Sequence, residues 1–568
     1  MSHDGRLLRA IVLGVVGLGL IAPIVFGLWQ TGRAAFGVLP ALGQDVASLE
    51  PWRDLAALPG FGTSLRLTLV TGLGSTLLSL LLATGFCAAV HARINPSAGA
   101  RLLTPFLAIP HAAMAVGLAF VLAPSGWIAR ALAPVAGWDR PPDIPLVNDG
   151  WGIALMIGLM VKEVPFLLLV ILSALSQIPV ARQMAAGRAL GYGRGIVWIK
   201  IIMPQVWPLI RLPVWVVLAY ALSVVDMAII LGPSNPPTLA VAVTRWFSDP
   251  NPAMILPASA GAIFQAGIVV LGVGLLVLGE AVGKVIGRWW LRRGGRGLSA
   301  EPGLWVTSAG VMVLMSVGVL AMLSLVVWSL AWRWSFPQVL PETWSLKPWM
   351  GAQDRWMRAL ANTLVLAGAT VALSLALAIA WLEGEDSAPR ARAPWAEALI
   401  YLPLLIPQIG FLFGLNIGFL HLGLSGSIWA VVWAQALFVF PYVMIALSDP
   451  WRALDPRMIR AAAALGAGRG RRLWAIKLPV LIRPIMTAAA IGVAVSVAQY
   501  LPTLFMGAGR IATLTTEAVT LSSGSDRRVT GVYATLQAAL PLVAYLAAFL
   551  IPAIVHRNRR DLSGTSAT

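Results

Sequence analysis

The sequence predicts an all-α polytopic membrane protein of about twelve transmembrane helices, arranged as two parallel six-helix repeats. Three observations carry that expectation. Of the 568 residues, 58% are hydrophobic and 11% charged, against about 25% charged in a soluble domain. The apolar residues gather in blocks, and about 20 residues of helix cross a bilayer. Motifs of the first half recur in the second.

The apolar runs are 10–31, 67–90, 102–124, 151–176, 213–232, 257–282, 304–331, 359–382, 398–420, 427–447, 484–506 and 531–555. The first follows Arg6 and Arg9, is too long for a signal-peptide core and lacks a clear cleavage site, so it reads as a retained helix. Ala398 to Ser448 contains no Asp, Glu, Lys or Arg. That length needs two helices, and His421-Leu-Gly-Leu-Ser-Gly426 supplies the turn between them. With the N-terminus inside, the inner loops hold about twice as many Lys and Arg as the outer loops, which places both termini in the cytoplasm.

The net charge of +18 belongs to those loops rather than to a nucleic-acid surface. A single cysteine, Cys87, excludes an internal disulfide framework and a Cys-based metal cluster. The five histidines are scattered, and Gly283-Lys284 is followed by Val285, so no G-x-x-x-x-G-K-[ST] phosphate loop is present. H-E-x-x-H and G-x-S-x-G are also absent. No enzyme active site, metal site or cofactor is expected.

The repeat is visible in short strings. Asn362-Thr-Leu-Val365 echoes Leu67-Thr-Leu-Val70, Leu405-Ile-Pro-Gln408 echoes Ala108-Ile-Pro-His111, and Thr513-Leu514 echoes Thr238-Leu239. The offset is 297 at Pro110/Pro407 and 275 at Gly191/Gly466, so extra residues of the first half fall in the loop near Gly126–Asn148. The expected division is a first half over 1–287, a basic Gly-rich linker over 288–303, a second half over 304–560 and a tail over 561–568. Six is even, so the halves run parallel about an axis along the membrane normal, and equivalent loops share a membrane face.

One pair of loops stands out. Ala185 to Pro204 reads A-A-G-R-A-L-G-Y-G-R-G-I-V-W-I-K-I-I-M-P, and Arg460 to Pro479 reads R-A-A-A-A-L-G-A-G-R-G-R-R-L-W-A-I-K-L-P. Gly191 and Gly466, Ile201 and Ile476, and Pro204 and Pro479 align. Small residues allow close approach, glycine makes a turn, and proline precedes the next span.

This pattern, Ala-Ala, three residues, Gly, nine residues, Ile-x-Leu-Pro, resembles the coupling loop of ABC importer permeases, of the type I fold. The resemblance implies that Ala185, Ala186, Gly187, Gly191, Ile201 and Pro204, with Arg460, Ala461, Ala462, Gly466, Ile476 and Pro479, form the contact to an ATPase. The family often begins the motif with Glu, but Ala185 and Arg460 stand there, and Gly187 replaces the second Ala. The cations Arg188, Arg194, Lys200, Arg469, Arg471, Arg472 and Lys477 have two readings: pairing with an acidic ATPase rim, or contact with anionic lipid.

Polar residues also interrupt the spans. Lys162-Glu163-Val-Pro165 lies in the fourth and Asp226 in the fifth, with Gln499 as its expected counterpart. Charges at that depth cost about 2.5–3.5 kcal/mol and face a cavity or a partner. One reading is a translocation pathway lined by Glu163, Asp226 and Gln499. The other is a Lys162–Glu163 or Lys162–Asp226 ion pair that fastens helices. Pro165 and Pro441 are expected to kink their helices.

The fused form resembles the permeases of thiamine and ferric-iron importers. That implies a bacterial inner-membrane subunit working with two ATP-binding subunits inside and a periplasmic solute-binding protein outside. The alternative class is an ion-coupled secondary transporter of six plus six helices.

Overall fold

The computed structural model describes residues 3–90, 96–294, 301–386, 399–524 and 526–557. The described chain is almost entirely helical; its strands are Ala331–Arg333 and Thr343–Trp344, one short antiparallel hairpin. Ten described helices are long and apolar enough to cross a membrane. An eleventh span is a broken pair, Arg469–Val480 and Ile482–Ala498, bent by 75°.

The expected count of twelve is therefore not met by twelve full helices. In the ninth run, whose first residue lies outside the described chain, the one extended helix among the described residues is Ile409–His421. Pro403 and Pro407 lie just before it and withhold backbone donors, so a 3-10 turn at Leu402–Leu404 takes the place of regular helix. The third run is likewise two helices, Pro96–Ala108 and His111–Leu122, parted at Pro110. The fifth extends back to Arg194 and stops at Ser223.

Both halves then do the same thing. After Ser223 the backbone leaves the helix at Val224 and resumes as Asp226–Leu231. After Ala498 it leaves at Gln499 and resumes as Leu501–Gly507. Short helices follow, Leu239–Phe247 and Leu514–Ser522, each of nine residues. Nine residues reach only about 13 Å, so neither spans. Each is tied at its first N–H to the repeated threonine: Leu239 N donates to Thr68 Oγ1 at 2.8 Å, and Leu514 N to Thr363 Oγ1 at 3.0 Å. The L-T-L-V and N-T-L-V echoes are thus the acceptors for the T-L echoes.

The halves are interlocked. Arg9–Ala35 packs on Ile409–His421 of the other half, and Glu301–Leu330 packs on His111–Leu122. Backbone approach is close at matched glycines: a Cβ on Gly117 would lie 2.3 Å from Ala321 O, and one on Gly414 would lie 2.1 Å from Gly27 O. Small residues let helices meet this closely where burial of apolar surface from water supplies no drive.

The extra residues of the first half are the Trp127–Ala136 helix and the irregular stretch 137–152, where the second half has only 422–427. Arg130 anchors this insertion. It donates to Ser335 O and Gln338 O, both at 2.7 Å, and lies over the Trp334 ring at 4.7 Å. In the same hairpin loop, hydrogen bonds from the Ser335 hydroxyl and backbone hold the Glu342 carboxyl below the usual carboxylate range.

The chain ends gather at the opposite face, with the Gly191 and Gly466 turns. Arg9 packs beside Gly384, His556 Nε2 lies 3.1 Å from Pro479 O, and Lys200 Nζ sits 4.3 Å from the Trp290 ring centre.

Candidate functional site: paired loops and a polar interior

The two loops share one geometry. Helix Val180–Ala189 ends at Leu190, and Gly191 follows with φ 82°. Helix Pro456–Ala464 ends at Leu465, and Gly466 follows with φ 81°. Gly191 N donates to Arg188 O and Tyr192 N to Gly187 O; Gly466 N donates to Ala463 O and Ala467 N to Ala462 O. This pair of hydrogen bonds makes a Schellman end, which wants glycine at the left-handed residue. Each chain then re-enters through a short helix and a π-helical turn, Trp198–Ile202 and Leu473–Lys477.

The motif residues divide by role. Ala185, Ala186, Arg460, Ala461, Gly191 and Gly466 are exposed and form the outer surface of the loops. Gly187 and Ala462 are buried. A Cβ on Gly187 would lie 2.5 Å from Val197 Cγ2, which explains why glycine replaces alanine in that copy. Ile201 and Ile476 are half-buried, Pro204 lies in the first turn of Met203–Ser223, and Pro479 is half-buried in Leu478–Val480. These four belong to the root of the loop, not its tip.

Leu190 and Leu465 were missed by sequence reasoning. They are 64% and 88% exposed and stand directly before the left-handed glycines. The signal was present as the repeated Leu-Gly dipeptide. Exposed apolar side chains of this kind are what interface anchors are made of.

Lys477 corrects one expectation. It is 4% exposed and bonds Glu383 at 2.5 Å and Asp386 at 2.6 Å, so it is not a cation at the loop surface. Arg194 also turns inward, donating to Ala89 O at 2.7 Å. Arg188 and Arg471 remain exposed.

In the interior, neither expected ion pair of Lys162 forms. Lys162 Nζ donates to the carbonyls of Phe106 at 2.5 Å and Ile109 at 2.7 Å, which the break at Pro110 leaves without helical partners. Glu163 points elsewhere and accepts from Ser79 at 2.8 Å and Ser75 at 3.3 Å. Asp226 is 8% exposed at the start of its helix, with no salt bridge among the described residues. The N-terminal amides of a helix favour a carboxylate there.

Gln499 is not its counterpart. The two helix breaks align at the 275 offset, which pairs Gln499 with Val224 and Asp226 with Leu501. Gln499 Oε1 lacks a hydrogen-bond partner and borders a cavity of about 10 Å³, room for roughly one water. Gln435, also missed, lines the same cavity and bonds Ser496 at 2.6 Å and Thr503 at 3.0 Å. No hydrogen bond joins Glu163, Asp226 and Gln499 among the described residues. Pro165 and Pro441 both lie inside continuous helices, Ile153–Leu175 and Ile428–Arg452.

A duplicated helical membrane bundle with a matched pair of turns on one face is the architecture of a membrane transport subunit. Comparison with known proteins agrees. Residues 387–560 match the family described as binding-protein-dependent transport system inner membrane component. The inner membrane ABC transporter permease protein YnjC of Escherichia coli is 31% identical over 543 residues, covering 95% of this chain and 98% of that protein. The molybdenum transport system permease protein ModB of Mycobacterium tuberculosis is 26% identical over 30% of this chain and 67% of its own length. The spermidine/putrescine transport system permease protein PotC of Escherichia coli is 27% identical over 23% and 54%. The chain belongs to the ABC transporter inner-membrane permeases, a family of transport components rather than enzymes.

Proposed function

We propose that this chain is the complete membrane pathway of an ATP-driven, binding-protein-dependent importer. Residues 1–287 and 304–560 are its two permease halves, and both termini lie in the cytoplasm with the Gly191 and Gly466 turns. Two ATP-binding subunits dock there, one on each loop, and a periplasmic binding protein delivers solute to the opposite face. ATP binding draws the loops together and opens the bundle outward; hydrolysis resets it inward. The observation that carries this reading is the pair of identical Schellman turns, each presenting an exposed leucine.

The solute is small, thiamine-like or ferric-iron-like by the resemblance of the fused form. The named relatives span molybdenum and polyamines, so the family leaves this choice open. The carboxylates of Glu163 and Asp226 support a cation. Replacing both Leu190 and Leu465 by Asp tests the docking: ATP-binding subunits should no longer co-purify with the intact, folded chain. Their full retention would refute it.

A further inference from the structure

The two loops reach the membrane by different routes. In the first half the chain from Arg194 to Ser223 is one continuous span. In the second half the equivalent span is broken, with a 75° bend between Arg469–Val480 and Ile482–Ala498.

A cluster of side chains bypasses it. Lys477, at the end of the π-helical turn, bonds Glu383 and Asp386 in the last turn of Gln353–Asp386. Trp451 Nε1 donates to the same Asp386 carboxylate at 3.0 Å, and Lys477 lies 5.2 Å from the Trp451 ring centre. Beside it Arg452 pairs with Glu385 at 3.2 Å, and Trp381 Nε1 donates to Glu385 at 2.9 Å. The helix before the loop, the exit from the loop and a neighbouring span therefore meet at one point. Among the described residues the first half shows no such ion pairs: Ile202 stands where Lys477 stands and Ala88 where Glu383 stands, both buried, and its loop meets the equivalent helix through Arg194, which donates to Ala89 O.

Gln353–Asp386 leads to the interior. Thr370 lies sixteen residues from Asp386, about 24 Å along a helix, and Thr363 lies two turns further. Thr370 Oγ1 lies 3.5 Å from Gln435 Oε1, and Thr363 holds the first N–H of Leu514–Ser522. A contiguous chain of contacts thus joins the loop to the polar cavity beside Gln499.

Resting on the coupling reading above, we infer that Lys477, with Glu383 and Asp386, is the positioning device that carries the second loop's displacement to the interior, so the two halves couple to ATP by different means. The test removes the charges without leaving any of them unpaired: Lys477→Met, Glu383→Gln and Asp386→Asn together. The full chain with its ATP-binding partner is used, Cys87 is replaced by Ala, and spin labels sit at Asp54→Cys and Arg358→Cys, exposed positions of the two halves.

In the parent, ATP with vanadate should shift the distance between the labels. In the triple variant the partner should still co-purify and hydrolyse ATP, while the shift falls by at least half. Lys477→Arg alone, with both carboxylates kept, should retain the full shift. A full shift in the triple variant would overturn the inference. So would loss of the partner in both the triple variant and Lys477→Arg, because the cluster would then serve assembly alone. A parent that binds no ATP-binding subunit would instead sink the coupling reading itself.

Discussion

At the scale of single residues, chemistry and backbone shape decide what a position tolerates. Gly466 has φ 81° with open space around it, so the demand there is conformational. Gly466→Val should cost about 1–2 kcal/mol locally and reduce co-purification of the ATP-binding subunits while leaving the membrane bundle folded, as read by thermal unfolding. Asp226 and Glu163 should behave differently. Asp226→Asn is expected to impair uptake while leaving assembly intact. Glu163→Gln keeps an acceptor for Ser75 and Ser79 and should change stability by less than about 1.5 kcal/mol. Loss of assembly in Asp226→Asn would place that carboxylate in the scaffold. The left-handed glycines were legible in the sequence because they recur at one offset. The partners of Lys162 were not, because they are carbonyls freed by Pro110 some fifty residues away.

At the scale of elements, the repeated threonines carry a matched pair of contacts. Thr68→Ala and Thr363→Ala each strip the acceptor from the first N–H of a short helix, at a cost of about 1 kcal/mol apiece. The two sites share no hydrogen-bond partner, so the double variant should lose the sum, measured by thermal unfolding in detergent. A much larger loss at one site would break the equivalence of the halves. Most spans were readable from apolar length, within a few residues. The breaks at Val224 and Gln499 were not, since neither position carries a proline or glycine. The ninth run was read as a full span, yet its described helix has thirteen residues. Apolar composition continued through Pro403 and Pro407 where helical hydrogen bonding did not.

At the scale of the whole molecule, each half embraces the other through its first helix. Severing the chain within 295–300 should therefore leave two fragments that co-purify when expressed together. Deleting the residues up to Ala35 should weaken that association without abolishing it, because Gly27 and Thr31 then no longer meet Gly414 while Glu301–Leu330 still packs on His111–Leu122; Gly414 N donates to Thr31 Oγ1 at 3.2 Å. This crosswise packing left no trace in the sequence: helix faces that meet protein and faces that meet lipid are equally apolar. The pairing of repeats was legible, and it placed the insertion between Pro110 and Gly191 correctly. What the insertion does, anchoring Arg130 in the hairpin loop of the other half, depends on carbonyl acceptors that no residue type announces.

If two equivalent turns on one chain dock two ATP-binding subunits, the stoichiometry of the assembly is one to two. Native mass spectrometry of the tagged chain, purified gently from its host with a slowly hydrolysed ATP analogue, measures this directly. The expected result is one chain with two copies of a subunit that binds nucleotide, and loss of both copies in the Leu190→Asp, Leu465→Asp double variant. A chain that runs alone across several detergents, with the analogue present, would contradict it.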